Sequence, residues 1–223
     1  ATSSPAAADC GVTGIVVFGS DQGLVGQFNE IVVEHAQHTL AGLAGRTVVW
    51  AVGERVHARL SEAGIIPAGL FKLPGSVQAI TPLVWEILVA SERPQGVDHV
   101  GSLYLCFNQP LSGAGFAAVT RQLLPLDDAW RRRLAMQPWP GGNLPEVIGD
   151  IGATLRALIR EYVFVSIFRA CAESLASENA SRLAAMQRAE KNIEALLDTL
   201  NGSFHRLRQD GIDEELFDVI TGF

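Results

Sequence analysis

The chain of 223 residues is poor in charged side chains and has no long apolar run. Asp, Glu, Lys and Arg make up 18% of it and apolar residues 48%, a balance typical of a folded protein and not of a disordered one. No apolar run reaches the roughly 18 residues that a membrane-spanning helix needs. The net charge of −7 argues against nucleic acid as a partner, because such proteins present a basic surface.

Cysteine is also scarce, and no metal-ligand spacing is present. Cys10, Cys106 and Cys171 are far apart in the chain, which predicts free thiols that fill space in a reducing cytosol. His35 and His38 lie one turn apart on a predicted helix, but no third ligand is placed near them. We interpret both as exposed surface histidines and expect no metal and no cofactor.

The glycine-rich loop Gly19–Gly26 follows a strand and precedes a helix, where phosphate-binding loops lie. A P-loop would have Lys and Ser or Thr after its last glycine, and a dinucleotide loop would space its glycines differently. Ser20 lacks the GxSxG frame of a hydrolase nucleophile. The turn itself accounts for the glycines, so we expect no nucleotide site and no catalytic site.

Apolar strands alternate with helices through the first two thirds of the chain, which is typical of a parallel-leaning α/β sheet. We predict a three-layer, Rossmann-like domain over residues 14–126, after a disordered lead-in at 1–13. The last two strands form a hairpin, hence an antiparallel edge pair. The predicted strands are 14–19, 47–52, 65–73, 99–107 and 116–124, and the predicted helices are 26–40, 54–63 (ending at Gly64) and 76–92 (capped by Ser76).

Residues 127–145 are rich in proline and glycine and are predicted to be a linker loop. Asp127-Asp128 and Arg131–Arg133 form either an ion-paired turn or a docking patch for a partner. Trp130 and Trp139 either contribute to an interface or cover the sheet.

Proline is absent after Pro145, and residues 146–222 are predicted to form one long helix. About sixty such residues would measure roughly 90 Å, far more than a sheet domain can cover. A wide apolar face over Leu155–Phe168 should pack on the sheet domain. Further on, large apolar residues recur at alternating three- and four-residue steps, with Glu190 in the one missing position. This seam requires a second helix, and it consists of Leu183, Met186, Ile193, Leu197, Leu200, Phe204 and Leu207.

Several segments, in order from about Gly14 to Gly222, resemble the gamma subunit of the F-type ATP synthase. Ser20–Asn29 is similar to the family's Ser-Asp-Arg-Gly-Leu-Cys-Gly-Gly-Phe-Asn, and Gln122–Leu126 to its Leu-Leu-Pro-Leu. Ser174–Met186 matches its Ala-Ser-Glu-x-Ala-Ala-Arg-Met-x-Ala-Met, and Arg208–Leu216 its Arg-Gln-x-x-Ile-Thr-x-Glu-Leu. The first segment departs from the family at Gln22, Val25 and Gln27, and its shared positions include Ser20, Asp21, Gly23, Gly26 and Asn29.

The resemblance implies a non-catalytic central-stalk subunit, the rotor that couples ion flow through the membrane sector to ATP synthesis or hydrolysis. It implies alpha, beta and epsilon subunits and the membrane c-ring as partners. The place implied is peripheral, on the cytoplasmic face of a bacterial inner membrane. By motif match, Arg208, Gln209 and Glu215 are expected to contact the alpha-beta hexamer. The alternative from the residues alone is a nucleotide- or small-molecule-binding α/β module with a helical dimerisation arm.

Members of that family begin with a long helix that pairs antiparallel with the C-terminal one. Nothing before Gly14 matches such a helix. The seam from Leu183 to Leu207 is then left without its partner, so we expect this chain to self-associate through it, or the helix to fold back or fray.

Overall fold

The computed structural model describes residues 12–92, 100–112, 115–126, 128–138, 141, 143 and 146–222. The interpretations of Cys10, Asp127 and Trp139 lie outside these residues. The strands are β1 (Val12–Phe18), β2 (Thr47–Val52), β3 (Gly69–Phe71), β4 (Val100–Pro110) and β5 (Phe116–Leu124). The helices are α1 (Phe28–Ala41), α2 (Glu54–Glu62), α3 (Ile80–Glu92), α4 (Asp128–Ala135) and α5 (Ile151–Thr221).

The five strands form one sheet in the order β3-β2-β1-β4-β5. Strands β1 to β4 are parallel, and β5 pairs antiparallel with β4. This confirms the predicted Rossmann-like α/β fold with an antiparallel edge pair. Strand β3 is short and lies at the other edge, where it pairs with residues Trp50 to Val52 of β2.

Strand β1 is buried on both faces, as its continuous apolar run predicts. Val16 and Phe18 belong to a core shared with α3 and the first part of α5. Ile15 and Val17 point the opposite way and pack with residues of α1 and α2. The alternation of side chains along a strand therefore produces the three layers, helix, sheet and helix.

The chain divides into two compact units, Ala1–Ser181 and Arg182–Phe223. The first part of α5 belongs to the first unit, where Val163, Ile167 and Cys171 are buried in the core. The prediction that the face Leu155–Phe168 packs on the sheet domain is correct for Val163 and Ile167. It is wrong for Leu155 and Leu158, which are exposed.

The segment predicted to be a linker loop contains α4 instead. Asp128 lies in its first turn and Arg132 and Arg133 in its last, which suits the helix dipole at both ends. An exposed ion pair joins Asp128 to Arg131, so the ion-paired alternative holds, within a helix and not a turn. Trp130 packs edge-on against Tyr162 of α5, with ring centroids 5.4 Å apart. Prolines 125 and 138 flank this helix and do not interrupt it.

Several further element ends differ from the prediction; β3, for example, covers Gly69–Phe71 and not 65–73. Strand β1 begins at Val12, inside the predicted lead-in. Helix α5 begins at Ile151 because Asp150 accepts hydrogen bonds from the backbone N–H groups of Gly152 (3.3 Å) and Ala153 (2.7 Å), an N-cap that ends the preceding loop. Ser76 makes no side-chain capping bond, and a single 3-10 turn precedes α3.

His35 is half-buried, which corrects the prediction of an exposed side chain. Its Nε2 lies 3.0 Å from Thr120 Oγ1 of β5. Thr39 Oγ1 also lies 2.9 Å from Thr120 Oγ1, and Cys106 Sγ lies 3.4 Å from it. The sequence could not reveal this cluster because its members come from α1, β4 and β5.

Burial of Cys171 makes the stability of the fold sensitive to alkaline pH. Burial raises the pKa of the Cys171 thiol from 9.0 to about 12. Between these values the unfolded chain releases the thiol proton while the folded chain keeps it, so the free energy of unfolding falls as pH rises. We expect the wild type to lose up to about 1.4 kcal/mol per pH unit more than Cys171→Ala, measured by urea unfolding at pH 8 and pH 10. Equal losses in the two proteins would contradict this assignment.

Candidate functional site

The loop after β1 is held by side chains of the motif Ser20–Asn29. Ser20 is fully buried. Its backbone N–H donates to Asn29 Oδ1 (3.0 Å), Asn29 Nδ2 donates to Ser20 Oγ (2.9 Å), and Ser20 Oγ donates to the Gln22 carbonyl (2.8 Å). These bonds tie the end of β1 to the first turn of α1.

Asp21 connects the same loop to two further elements. One carboxylate oxygen accepts from the backbone N–H of Glu54 at the start of α2 (3.0 Å), and the other accepts from that of Leu73 just after β3 (3.2 Å). Gly19 lies so close to α2 that an added Cβ would come within 2.3 Å of Val56 Cβ. Gly26 has a φ of 60°, which glycine adopts without strain. The motif is therefore a hydrogen-bonded loop that connects β1, α1, α2 and the end of β3 at the carboxyl end of the sheet.

Helix α5 contacts this loop through serine side chains. Ser181 Oγ donates to the Val25 carbonyl in the loop (2.6 Å). Ser177 Oγ donates to the Asn108 carbonyl at the end of β4 (3.0 Å) and is also 2.9 Å from the Glu173 carbonyl of its own helix. Asn108 Nδ2 donates in turn to the Phe28 carbonyl of α1 (2.9 Å). We call Ser177, Ser181, Asn108 and the Val25 carbonyl the serine clamp.

The serine clamp lies where a doubly wound fold usually binds a ligand. Strand β1 has β2 on one side and β4 on the other, so the connections diverge there and open a crevice at the carboxyl ends of the strands. In this chain Ser177 and Ser181 of α5 are buried against that place. The glycine-rich loop is thus used to pack protein against protein.

The stretch Ser174–Met186 carries the family resemblance, but the sequence does not reveal which of its side chains are buried. Ser174, Ser177, Glu178 and Ser181 are each at most 7% exposed. Their spacing of three or four residues places them on one helix face. Small polar residues at such spacing, inside an otherwise large-residue pattern, were the signal for a tight contact with another backbone. Asn108 carried no sequence signal.

In the second unit, the predicted seam is exposed. Its members are between 53% and 71% exposed, and they are Leu183, Met186, Ile193, Leu197, Leu200, Phe204 and Leu207. Soluble proteins rarely leave a continuous apolar stripe of this kind uncovered. The seam is therefore a candidate surface for pairing with another helix.

Arg208, Gln209 and Glu215 are exposed residues of the same helix. Arg208 and Gln209 are adjacent, and Glu215 lies about two turns further along. An acidic group surrounds Glu215, formed by Asp210, Asp213, Glu214 and Asp218. The end of the helix therefore presents both charge signs to a partner.

The residues that the structure describes also bear on two other kinds of site, a membrane span and a metal site. No helix there is both long and apolar enough to cross a membrane. In the same part of the chain, no three His, Cys, Asp or Glu side chains are grouped so that they could hold a metal ion.

Comparisons with known proteins agree on one family. The family described as ATP synthase matches residues 2–223. The ATP synthase gamma chain of Nitrosomonas eutropha is 29% identical over 221 residues, which cover 94% of this chain and 72% of that protein. The ATP synthase gamma chain of Clostridium acetobutylicum is 27% identical over 211 residues, which cover 91% and 69%.

Solved structures show the same fold. A chain of the Euglena gracilis mitochondrial ATP synthase (OSCP, F1 and c-ring, rotational state 3) has a TM-score of 0.65 at 14% identity, covering 94% of this chain and 71% of that chain. A chain of the Tetrahymena thermophila mitochondrial ATP synthase (central stalk and c-ring) has a TM-score of 0.59 at 19% identity, covering 85% and 79%.

The α/β sheet with a filled crevice and the helix with an uncovered apolar seam define a subunit of a larger assembly. The chain belongs to the ATP synthase family, as a gamma-type subunit. This confirms the predicted family and the predicted function, a central-stalk subunit of a rotary ATP synthase.

The amide of Asn108 can be tested by an isosteric change. In Asn108→Asp, a buried carboxylate would face the Phe28 carbonyl where an N–H donor now lies. We expect the free energy of unfolding to fall by roughly 2 to 4 kcal/mol at pH 7. This burial should raise the pKa of the new carboxyl, and its protonated form can donate to Phe28, so the loss should shrink toward pH 4.

Urea unfolding of wild type and variant at both pH values measures this loss. Asn201→Asp, on an exposed part of α5, is the control and should stay near the wild type at both. A loss for Asn108→Asp that does not depend on pH would contradict the assigned role of the amide.

Proposed function

We propose that this chain transmits torque between the membrane sector and the catalytic subunits of a rotary ATP synthase. The observation that carries the proposal is the exposed seam on a helix that is continuous from Ile151 to Thr221. A shaft must be long and stiff, and two paired helices are stiffer than one. The seam supplies the pairing surface, and polar side chains elsewhere on the helix supply contacts to surrounding subunits.

The partners we propose are the alpha and beta subunits for α5, and the epsilon subunit and c-ring for the sheet domain. Arg208, Gln209 and Glu215 are proposed to contact the alpha-beta hexamer, since all three are exposed near the end of α5. Arginine forms paired hydrogen bonds to carboxylates and suits such a contact. The proposed place is peripheral, on the cytoplasmic face of a bacterial inner membrane.

We further propose that the chain has no catalytic site of its own and acts only through the assembly. Serines of α5 are buried at the carboxyl end of the sheet, where the crevice of this fold would otherwise take a nucleotide. This packing also weighs against the alternative of a nucleotide-binding module with a dimerisation arm.

Assembly and rotation test the proposal directly. The chain, the alpha and beta subunits, and a probe fixed to the sheet domain are combined, and ATP is added. We expect the chain to co-purify with the hexamer and the probe to rotate during ATP hydrolysis. Absence of co-purification, or micromolar nucleotide binding by the isolated chain in a titration, would contradict the proposal.

The role of the helix end predicts a local effect of mutation. Arg208→Ala with Gln209→Ala should weaken assembly with the alpha-beta hexamer by about 1 to 3 kcal/mol, because charge-assisted contacts are lost. Titration of labelled chain against the hexamer measures the affinity. Arg206→Ala is the matched control, since Arg206 is also exposed but lies outside the family motif. An equal effect of both changes would count against the assignment.

The isolated chain is predicted to self-associate through the seam. The uncovered apolar side chains gain by burial against a second copy. Sedimentation velocity should show association that grows with concentration, and Leu200→Glu should shift it toward monomer by at least about tenfold in dissociation constant. Thr199→Glu, exposed one position away and off the seam, should leave it unchanged. A wild type that stays monomeric at high concentration would refute the prediction.

A further inference from the structure

We infer that the serine clamp is the point at which torque passes between α5 and the sheet domain. This inference rests on the proposed function, because it assigns residues to the transfer of rotation within the chain. It is carried by hydroxyl groups that bond α5 to two separate elements of the first unit.

The two contacts are placed to resist rotation of α5 about its own axis. Ser177 and Ser181 lie four residues apart, about one turn, and so on the same face of the helix. Ser177 Oγ shares its hydrogen between the Asn108 carbonyl of β4 (3.0 Å) and the Glu173 carbonyl of its own helix (2.9 Å). Ser181 Oγ donates to the Val25 carbonyl of the loop after β1 (2.6 Å). Turning the helix would lengthen both bonds, so they add directional resistance to that of the packed apolar core around Val163, Ile167 and Cys171.

Further hydrogen bonds connect the serine clamp to other elements of the first unit. Asn108 Nδ2 donates to the Phe28 carbonyl of α1 (2.9 Å), and Asn29, the next residue, holds Ser20 at the end of β1. Asp21 then connects to α2 and to the residue Leu73 after β3. A twist applied at Ser181 therefore reaches several elements and not one.

Burial makes these contacts costly to lose. Ser177 is 1% exposed, Ser181 7%, Asn108 0% and Val25 2%. Truncation of Ser181 leaves the Val25 carbonyl without its donor in a site that water reaches poorly. The neighbouring Ser174 provides a matched comparison, since it is 1% exposed and its hydroxyl has no hydrogen-bond partner among the described residues.

The first test is local and uses the isolated full chain. In Ser181→Ala, amide hydrogen exchange of residues 19–29 should become about tenfold faster, the factor that corresponds to one lost buried bond. Ser174→Ala should not change it by this amount. Equal exchange in the two variants would show that the hydroxyl of Ser181 does not hold the loop.

The second test is mechanical and uses the assembled complex with a probe on the sheet domain. In the double variant Ser177→Ala/Ser181→Ala, the angular variance of the paused probe should exceed that of wild type and of Ser174→Ala, well below the melting temperature. Unchanged variance would overturn the clamp, because a merely structural role alters stability and not stiffness. Where the double variant does not assemble, each single variant is measured by the same criterion. A wild-type probe that does not rotate would instead contradict the proposed function.

Discussion

Backbone carbonyls at the carboxyl end of the sheet need hydrogen-bond donors if that end is to be buried. Here two of the donors are hydroxyl groups of α5, which reach the Val25 and Asn108 carbonyls. A buried carbonyl without a donor would cost about 1 to 3 kcal/mol. The apolar face of α5 packs in the core shared with the sheet and α3. The two hydroxyl bonds then hold α5 to the loop Ser20–Asn29 and to β4 at the carboxyl end of the sheet, where related folds bind ligands.

The second unit, Arg182–Phe223, differs from the first in leaving its large apolar side chains exposed. Its stability as part of a functional particle therefore depends on what covers them. An exposed seam is consistent with a central-stalk subunit, which is one chain of a larger assembly. The first unit buries most of its large apolar side chains in two clusters around the sheet, whereas the seam of the second unit is exposed along its length.

Local pattern was sufficient for much of this protein. The buried run of β1 follows from its continuous apolar pattern, and the long α5 from its periodicity and from the absence of proline. The third strand was predicted over residues 65–73, but β3 covers only Gly69–Phe71. The prediction was wrong for α4. The prolines on either side of this segment indicated a loop, but Asp128 and Arg132 lie at the helix ends that favour their charges, and the helix forms. The prediction was also wrong for His35, whose partner Thr120 is far away in the sequence.

The sequence by itself determined the class of fold, the exposed seam and the family, because periodicity and contiguous motifs are local properties of a chain. Only the tertiary structure decided that the glycine-rich loop packs against α5. It also decided that Ser177 and Ser181 are buried while Leu155 and Leu158 are exposed. The reason is physical, because a serine hydroxyl can form hydrogen bonds either with water or with a buried carbonyl. Which of these environments it occupies depends on residues that folding brings to it from distant parts of the chain.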